Sequence, residues 1–207
     1  MEVKMNNYQI TLFFAKDTIF KIIELSNSLF ENIANLGDPI LLPNNQAVPK
    51  EANFPLIIFN QNREIQITAN FQSIIISIEK NENINIEELM LKINSILIEN
   101  EINVVRIGYG YKIEMDKQKA DFFKNKNFVY DEIKNSINFE LSWLTEIIIN
   151  NLKVNCWQRY FTSQQSENLN IIFDINTKAE EENEISNEFL KQFITEAEEF
   201  IKNKLQN

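Results

Sequence analysis

The sequence predicts an α+β domain in which helices cover one face of an antiparallel sheet. Three observations favour this class. Several short segments alternate apolar and polar residues, as half-buried strands do. Both halves of the chain run in the order strand, helix, strands, helix. The hydrophobic fraction of 44%, with 16 Phe, is enough for one sizeable core. We therefore predict a single domain, 1–207, with candidate pseudo-repeat halves at 1–103 and 104–207.

The first elements are a strand and a long helix. Residues 8–14 (YQITLFF) predict the strand. Residues 18–36 predict the helix, because apolar residues recur at helical spacing and Asp17 can cap the first turn. Gly37 stands where a left-handed C-terminal cap belongs. Residues 38–54 contain three prolines and predict a long connection across the domain.

Three short strands and a second helix follow. The strands are predicted at residues 56–59, 63–69 and 71–79. The first of them is a continuous apolar run, which is typical of a strand buried on both faces. A helix is predicted over 86–99, because Asn85 and the Glu three residues later form a capping box.

The next predicted strand, residues 104–115 (VVRIGYGYKIEM), is the most distinctive segment. Arg106, Gly108, Gly110 and Lys112 share one face of it. Glycine inside a strand costs stability and marks a close approach by another group. A helix packed tightly over this face is the favoured interpretation, and a ligand-binding site made by these four residues is the alternative. For the arginine we favour pairing with a carboxylate such as the one at position 114 over anchoring a phosphate.

The remaining elements are less uniform. Residues 137–150 fit either a strand or a helix. The single cysteine, Cys156, is predicted to be a buried small hydrophobe, and Trp143 and Trp157 to be anchors in or near the core. The sequence also predicts a mostly helical, lysine-rich segment at 116–136, a hairpin of 152–162 with 168–176, and a terminal helix from about 187 to 205, capped by Ser186.

Two of these segments carry a family resemblance. One matches a strand of the form Arg-Ile-Gly-x-Arg-Tyr-x-Asn at Arg106, Ile107, Gly108 and Tyr111. Residues 173–176 (FDIN) fall where a late Leu-Asp-x-Asp-like strand is expected. From about residue 54 to the C-terminus the chain resembles a sporadically distributed family of uncharacterised prokaryotic proteins. It departs from the pattern at Gly110 and Ile113, which replace an Arg and an Asn. The resemblance implies a shared fold and brings no settled activity.

The composition lacks most catalytic groups. The chain has no histidine and one cysteine, so Ser-His-Asp and Cys-His systems cannot be assembled. We expect no enzymatic activity and no cofactor. A metal-dependent enzyme is a minor alternative, since carboxylates can bind a divalent cation. The candidates for that role are Glu114, Asp116, Asp131, Glu132 and Asp174.

The charge points to a protein partner. The net charge is −10, which is the wrong sign for general nucleic-acid affinity. A basic protein partner suits an acidic surface. The cluster Glu180, Glu181, Glu182 and Glu184 is predicted as a solvated loop or as the docking patch for that partner. No membrane span is expected, and the lone cysteine favours the cytoplasm.

Two functions are carried forward. The leading prediction is a non-enzymatic protein-binding inhibitor or regulator, of the antitoxin, immunity or anti-defence type, that occludes a basic partner surface. The alternative is a small RNA- or nucleotide-binding protein of a defence or toxin–antitoxin system. That protein would use the glycine-bearing strand, Arg106 and the lysines interleaved with aromatics at 112–126.

Overall fold

The computed structural model describes residues 7–19, 21–43, 54–79, 84–134, 138–162, 168–178 and 184–206. It is an α+β fold, as predicted. The strands are β1 (Asn7–Phe14), β2 (Ile40–Leu41), β3 (Leu56–Phe59), β4 (Ile65–Ala69), β5 (Ser73–Glu79), β6 (Val104–Met115), β7 (Glu140–Ile149), β8 (Leu152–Thr162) and β9 (Leu169–Thr177). The helices are α1 (Ile22–Asn32), α2 (Ile86–Glu99), α3 (Lys117–Asn127), α4 (Asp131–Lys134) and α5 (Asn187–Gln206).

All nine strands form one antiparallel sheet in the order β2-β3-β4-β5-β1-β6-β9-β8-β7. In both halves the first strand pairs with the last, and the strands between them follow outward in reverse order. The halves meet where β1 pairs with β6, with Ile10 opposite Tyr109. Each of these two strands therefore has neighbours on both sides.

Alternate residues along the strands form the core. On β1 the buried positions are Ile10, Leu12 and Phe14, and the register carries the same face across the whole sheet. Helices pack on this face: Phe123 of α3 stacks on a β8 tyrosine at 6.0 Å, and Phe200 of α5 contacts a β9 phenylalanine. None of the helices within the described ranges is both long and apolar enough to cross a bilayer.

Two predicted helix starts are confirmed by their caps. Asn85 accepts a hydrogen bond from the Glu88 backbone N–H at 3.2 Å at the start of α2. Ser186 Oγ accepts from the Phe189 N–H at 3.1 Å before α5. Each cap satisfies a backbone donor that the first helical turn leaves without a partner. The start of α5 lies beside the middle of α2, since Nδ2 of Asn94 donates to the Asn187 side chain at 2.8 Å.

The first helix is shorter than predicted. It begins at Ile22 after Lys21, which makes no side-chain cap, so Asp17 is not its cap. The predicted glycine cap is also wrong, because Gly37 has no positive φ and the left-handed residue is Asn35, with φ 63°. The Gly37 N–H instead donates to a β3 carbonyl at 2.7 Å. The helical pattern of apolar residues continues in the sequence here, but the backbone bonds to the sheet and the helix ends.

Three further segments differ from the predictions. The predicted connection contains the two-residue strand β2, and its residues 44–53 lie outside the described part of the chain. β3 is buried on one face only, because Ile57 and Phe59 are half-buried on the other. Residues 140–149, left open between helix and strand, form β7.

The β7–β8 hairpin has a two-residue turn. Asn150 and Asn151 both have positive φ, 48° and 61°, as a tight hairpin with the right-handed strand twist requires. The Asn150 N–H donates to Oε2 of Glu196 on α5 at 2.7 Å. The turn is thereby fixed to the helix layer.

Candidate functional site

The sheet face opposite the core carries the candidate site. No helix in the described ranges packs on it, so we call it the open face. It presents the residues that alternate with the core along each strand. At its centre these are Gln9, Thr11, Phe13, Arg106, Gly108, Gly110, Lys112, Asn155, Trp157, Arg159, Asp174 and Asn176.

All four predicted ligand-binding residues therefore lie on the open face. The favoured interpretation, a helix packed over the two glycines, is wrong, because the described helices cover the other face. At Gly108 the close neighbour is a side chain: an added Cβ would lie 2.3 Å from Oδ1 of Asn176 on β9. Gly110 has no such constraint, since its Cβ would meet Gln9 at ordinary contact distances of 3.4 Å and beyond. A shallow depression of about 420 Å³ lies beside it and reaches Lys112.

Arg106 does not form the predicted ion pair. Its guanidinium lies over the Phe13 ring, 4.7 Å from the centroid, which is a cation–π geometry. Its buried Nε has no hydrogen-bond acceptor among the described residues. Glu114 lies further along β6 and accepts from Nδ2 of Asn168 at 2.7 Å instead.

Three cations of the open face contact carboxylates of β7. Nε of Arg159 donates to Glu140 at 2.8 Å, and Glu146 contacts both Lys178 and Lys153. The hydrogen bond and charge of Lys178 hold the pKa of the Glu146 carboxyl below its usual range. The face is therefore polar but close to electrically balanced, and it has no dominant cationic stripe.

Exposed apolar side chains border these pairs at the β7–β8 end. Trp157 is 44% exposed and lies directly opposite Leu144, which is 54% exposed. Ile148 is 71% exposed on the same face. The prediction that Trp157 anchors the core is wrong, and Trp143, on the helix side, is 38% exposed while stacked on Tyr160 at 5.0 Å. Strand alternation could have predicted the exposure of Trp157, because a buried Cys156 places the next residue on the opposite face.

The predicted acidic patch is only partly placed. Glu180, Glu181 and Glu182 lie outside the described residues. Glu184 is exposed just before α5. Lys178, which precedes this cluster in the sequence, contacts Glu146 on the open face through its side chain.

The structure does not bring the predicted nucleic-acid residues onto one surface. Lys112 is exposed on the open face. The lysine-rich helix α3 packs on the opposite, helix-covered side through Phe123. Lys124 of that helix is buried and lies 3.4 Å from Asp121. A single strand of nucleic acid could not contact both groups of cations along one sheet face.

The candidate metal-binding carboxylates are dispersed. Asp116 caps α3 through the Lys119 N–H at 2.9 Å, and Asp131 pairs with Lys134 at 3.2 Å. Asp174 accepts from Nδ2 of Asn176 at 2.7 Å. In the part of the chain that the structure describes, no three acidic or cysteine side chains form a cluster able to hold a metal ion.

Cys156 is fully buried, as predicted, in the core side of β8. Burial raises the pKa of its thiol to about 11, against the smaller opposing effect of a hydrogen bond with Gln158. Because the thiolate is the nucleophilic form, this cysteine is unreactive at neutral pH.

Comparisons with known proteins add little to this geometry. No protein-family model and no curated protein matches the chain. The resemblance of the glycine-bearing strand to a prokaryotic family therefore stays a prediction. A solved structure, TBP of Methanococcus jannaschii, aligns with 9% sequence identity over 100% of this chain and 99% of its own, with a TM-score of 0.30. At these values the similarity carries neither a fold nor a function over to this chain.

Proposed function

We propose that this protein is a non-enzymatic protein-binding module of the cytoplasm and that the open face is its docking surface. The observation that carries the proposal is the exposed pair Trp157 and Leu144 on neighbouring strands of a sheet face that no described helix covers. Trp and Arg are the residues that most often dominate protein-binding energy. Arg106 and Arg159 lie on the same face, each over a phenylalanine ring.

The charge balance of the open face favours protein over nucleic acid. A nucleic-acid surface needs cations free to neutralise phosphates. Here Arg159, Lys153 and Lys178 already contact carboxylates of β7. A polar, balanced surface with an aromatic residue at its centre suits a folded protein partner.

The net charge indicates the chemistry of that partner. At −10 the chain attracts a basic protein over long range, which raises the association rate. The open face then supplies the close contacts. The acidic cluster Glu180, Glu181, Glu182 and Glu184, which follows Lys178 in the sequence, would engage basic residues at the partner's rim. Occluding a basic surface in this way is how an inhibitor, antitoxin or immunity-type protein would act.

The test is site-specific photo-crosslinking in the native host. A photoreactive residue replaces Trp157 on the open face in one strain and Phe122 in another. Phe122 is the matched control because it is aromatic, 62% exposed, and lies on α3 on the helix side. We expect one basic protein to crosslink from position 157 and not from position 122.

Binding kinetics with that purified partner then separate the contribution of the open face from that of the acidic cluster. Trp157→Ala should speed dissociation about tenfold or more, as removal of a hot-spot residue does. Reversal of charge at Glu180, Glu181 and Glu182 should slow association and reduce its salt dependence. Crosslinks from position 122 alone, or turnover of a substrate by the purified chain that depends on its own carboxylates, would contradict the proposal.

A further inference from the structure

The outermost strand β7 has a free backbone edge. All ten of its residues, Glu140–Ile149, pair with β8 in a continuous register without a bulge. No described residue pairs with its other side. Such an edge presents a row of unpaired N–H and C=O groups that can hydrogen-bond to a further strand.

β7 also lacks the features that protect edge strands. Its sequence, ELSWLTEIII, contains no Lys, Pro or Gly. Proteins usually keep edge strands from pairing by making them short, by adding lysine or proline, or by bulges. At the opposite edge of the sheet, β2 has only two residues and Pro43 lies two positions beyond it. This contrast between the two edges indicates that β7 can pair with a further strand.

The side chains of β7 favour a neutral partner strand. Leu144 and Ile148 are more than half exposed on the open face, and Trp143 is 38% exposed on the other. The two carboxylates, Glu140 and Glu146, already contact cations on β8 and beside β9. A basic strand would therefore gain little here, whereas an apolar strand would cover the exposed side chains.

A second copy of β7 meets these requirements. Opposing residues of an antiparallel pair lie on the same sheet face. Because faces alternate along β7, two copies related by a twofold axis must have one residue that lies opposite its own copy, and the axis passes beside that residue. With the axis at Leu144 no carboxylate opposes another, whereas an axis at Trp143 would place Glu140 opposite Glu146. The register centred on Leu144 pairs Glu140 with Ile148, Leu141 with Ile147, Ser142 with Glu146, Trp143 with Thr145, and Leu144 with its own copy.

We propose that two copies of the chain associate through antiparallel β7–β7 pairing centred on Leu144, forming one continuous sheet. A symmetric interface of this kind uses the same patch on both subunits. The two open faces then lie on the same side of the extended sheet, because the axis is perpendicular to it. The inference is independent of which protein the open face binds.

Sedimentation equilibrium of the full chain tests the association. We expect a concentration-dependent dimer of the 24.4 kDa chain. The variant Leu144→Glu/Ile148→Glu should raise the dimer dissociation constant about a hundredfold or more, since the new carboxylate at position 144 faces its own copy and the one at position 148 faces Glu140. Ile98→Glu/Phe122→Glu is the matched control, because both residues are exposed apolar positions on helices. It should leave the dimer unchanged.

Disulfide formation tests the register. In a Cys156→Ala background, Leu144→Cys should crosslink with its own copy under mild oxidation, and Glu140→Cys should not. Circular dichroism and thermal melts confirm that each variant is folded. A monomer at every concentration, a folded β7 double-glutamate variant that still dimerises like the parent, or a crosslink at position 140 instead of 144 would overturn the proposal.

Discussion

The two halves of the sheet share one strand order and end at different edges. In each half the first strand pairs with the last, at β1–β5 and at β6–β9, and the other strands follow outward. The N-terminal half finishes in the two-residue strand β2, and the C-terminal half finishes in the ten-residue strand β7. The same connectivity thus produces one short edge and one long, exposed edge. Two ends of a sheet with one connectivity can therefore differ in edge length and in the side chains they expose.

The largest expected effect tests whether the two halves share one core. Ile10 is fully buried on β1, and both tryptophans lie in the other half. Ile10→Ala should lower the free energy of unfolding by about 2–5 kcal/mol, because it leaves a cavity beside Tyr109. Urea unfolding followed by tryptophan fluorescence should shift to the same midpoint as unfolding followed by circular dichroism. A fluorescence midpoint that stays unchanged would mean that the halves unfold separately.

Buried tyrosines make the stability of the protein depend on alkaline pH, both at the junction of the halves and in the C-terminal half. Burial raises the pKa of Tyr8 on β1 and of Tyr160 on β8 to about 12 each, and raises that of Tyr109. An unfolded tyrosine ionises near pH 10. Each folded tyrosine keeps its proton to higher pH, so the tyrosine contribution to stability is full below pH 10 and is lost between pH 10 and 12. The Cys156 thiol, raised to about 11, adds an effect of the same sign from about pH 9.

The size of this loss is measurable by urea unfolding between pH 8 and 11.5. Each unit of raised pKa contributes about 1.4 kcal/mol for a buried group such as Tyr160. Half-buried Tyr8 contributes less because solvent screens it. Tyr160→Phe should make the decline with pH shallower. An equal decline in both proteins would show that Tyr160 ionises with the same pKa folded and unfolded.

The two glycines of β6 give a matched pair with smaller effects. Gly108→Ala should cost about 1 kcal/mol, because the new methyl group must displace the Asn176 amide, whereas Gly110→Ala has room and should be neutral or slightly stabilising. Thermal melts measure both. In an Asn176→Ala background the cost at position 108 should largely disappear. A persistent cost there would point to the backbone instead of the amide.

The smallest expected effect concerns the β7–β8 edge itself. The pair between Arg159 and Glu140 is 2.8 Å long, and both side chains are substantially exposed. Arg159→Gln should change the free energy of unfolding by less than about 1 kcal/mol, as exposed ion pairs do. A double-mutant cycle with Glu140→Gln, at low and high salt, gives the coupling. A coupling energy above about 1 kcal/mol would mean that the Arg159–Glu140 pair contributes more to the stability of the β7–β8 hairpin than an exposed ion pair does.

Most of the fold was predictable because its signals are local. Strand alternation located β6, β8 and β9, and capping residues located the starts of α2 and α5. The end of α1 was not predictable, since its pattern continues to Leu36 while the backbone there bridges to Asn60 after β3. That contact joins residues distant in sequence, and no periodicity reports it.

The candidate site was predicted in part. Arg106, Gly108, Gly110 and Lys112 were placed together by strand alternation alone. What occupies their surroundings depends on strand order: Asn176 approaches Gly108 because β9 lies next to β6. The strand order also makes β7 an edge strand. Because the sequence alone does not give this order, it does not predict that Leu144 and Ile148 are exposed at an edge.

The central place of β1 has a consequence for synthesis on the ribosome. Its second neighbour, β6, begins about ninety residues after β1 ends, so the nascent N-terminal half carries β1 with one side unpaired. Pairing across such a sequence distance slows folding and leaves intermediates prone to aggregation. Translation must therefore proceed through β6 before the first half is closed, and a chaperone that shields β1 until then would raise the yield of native protein.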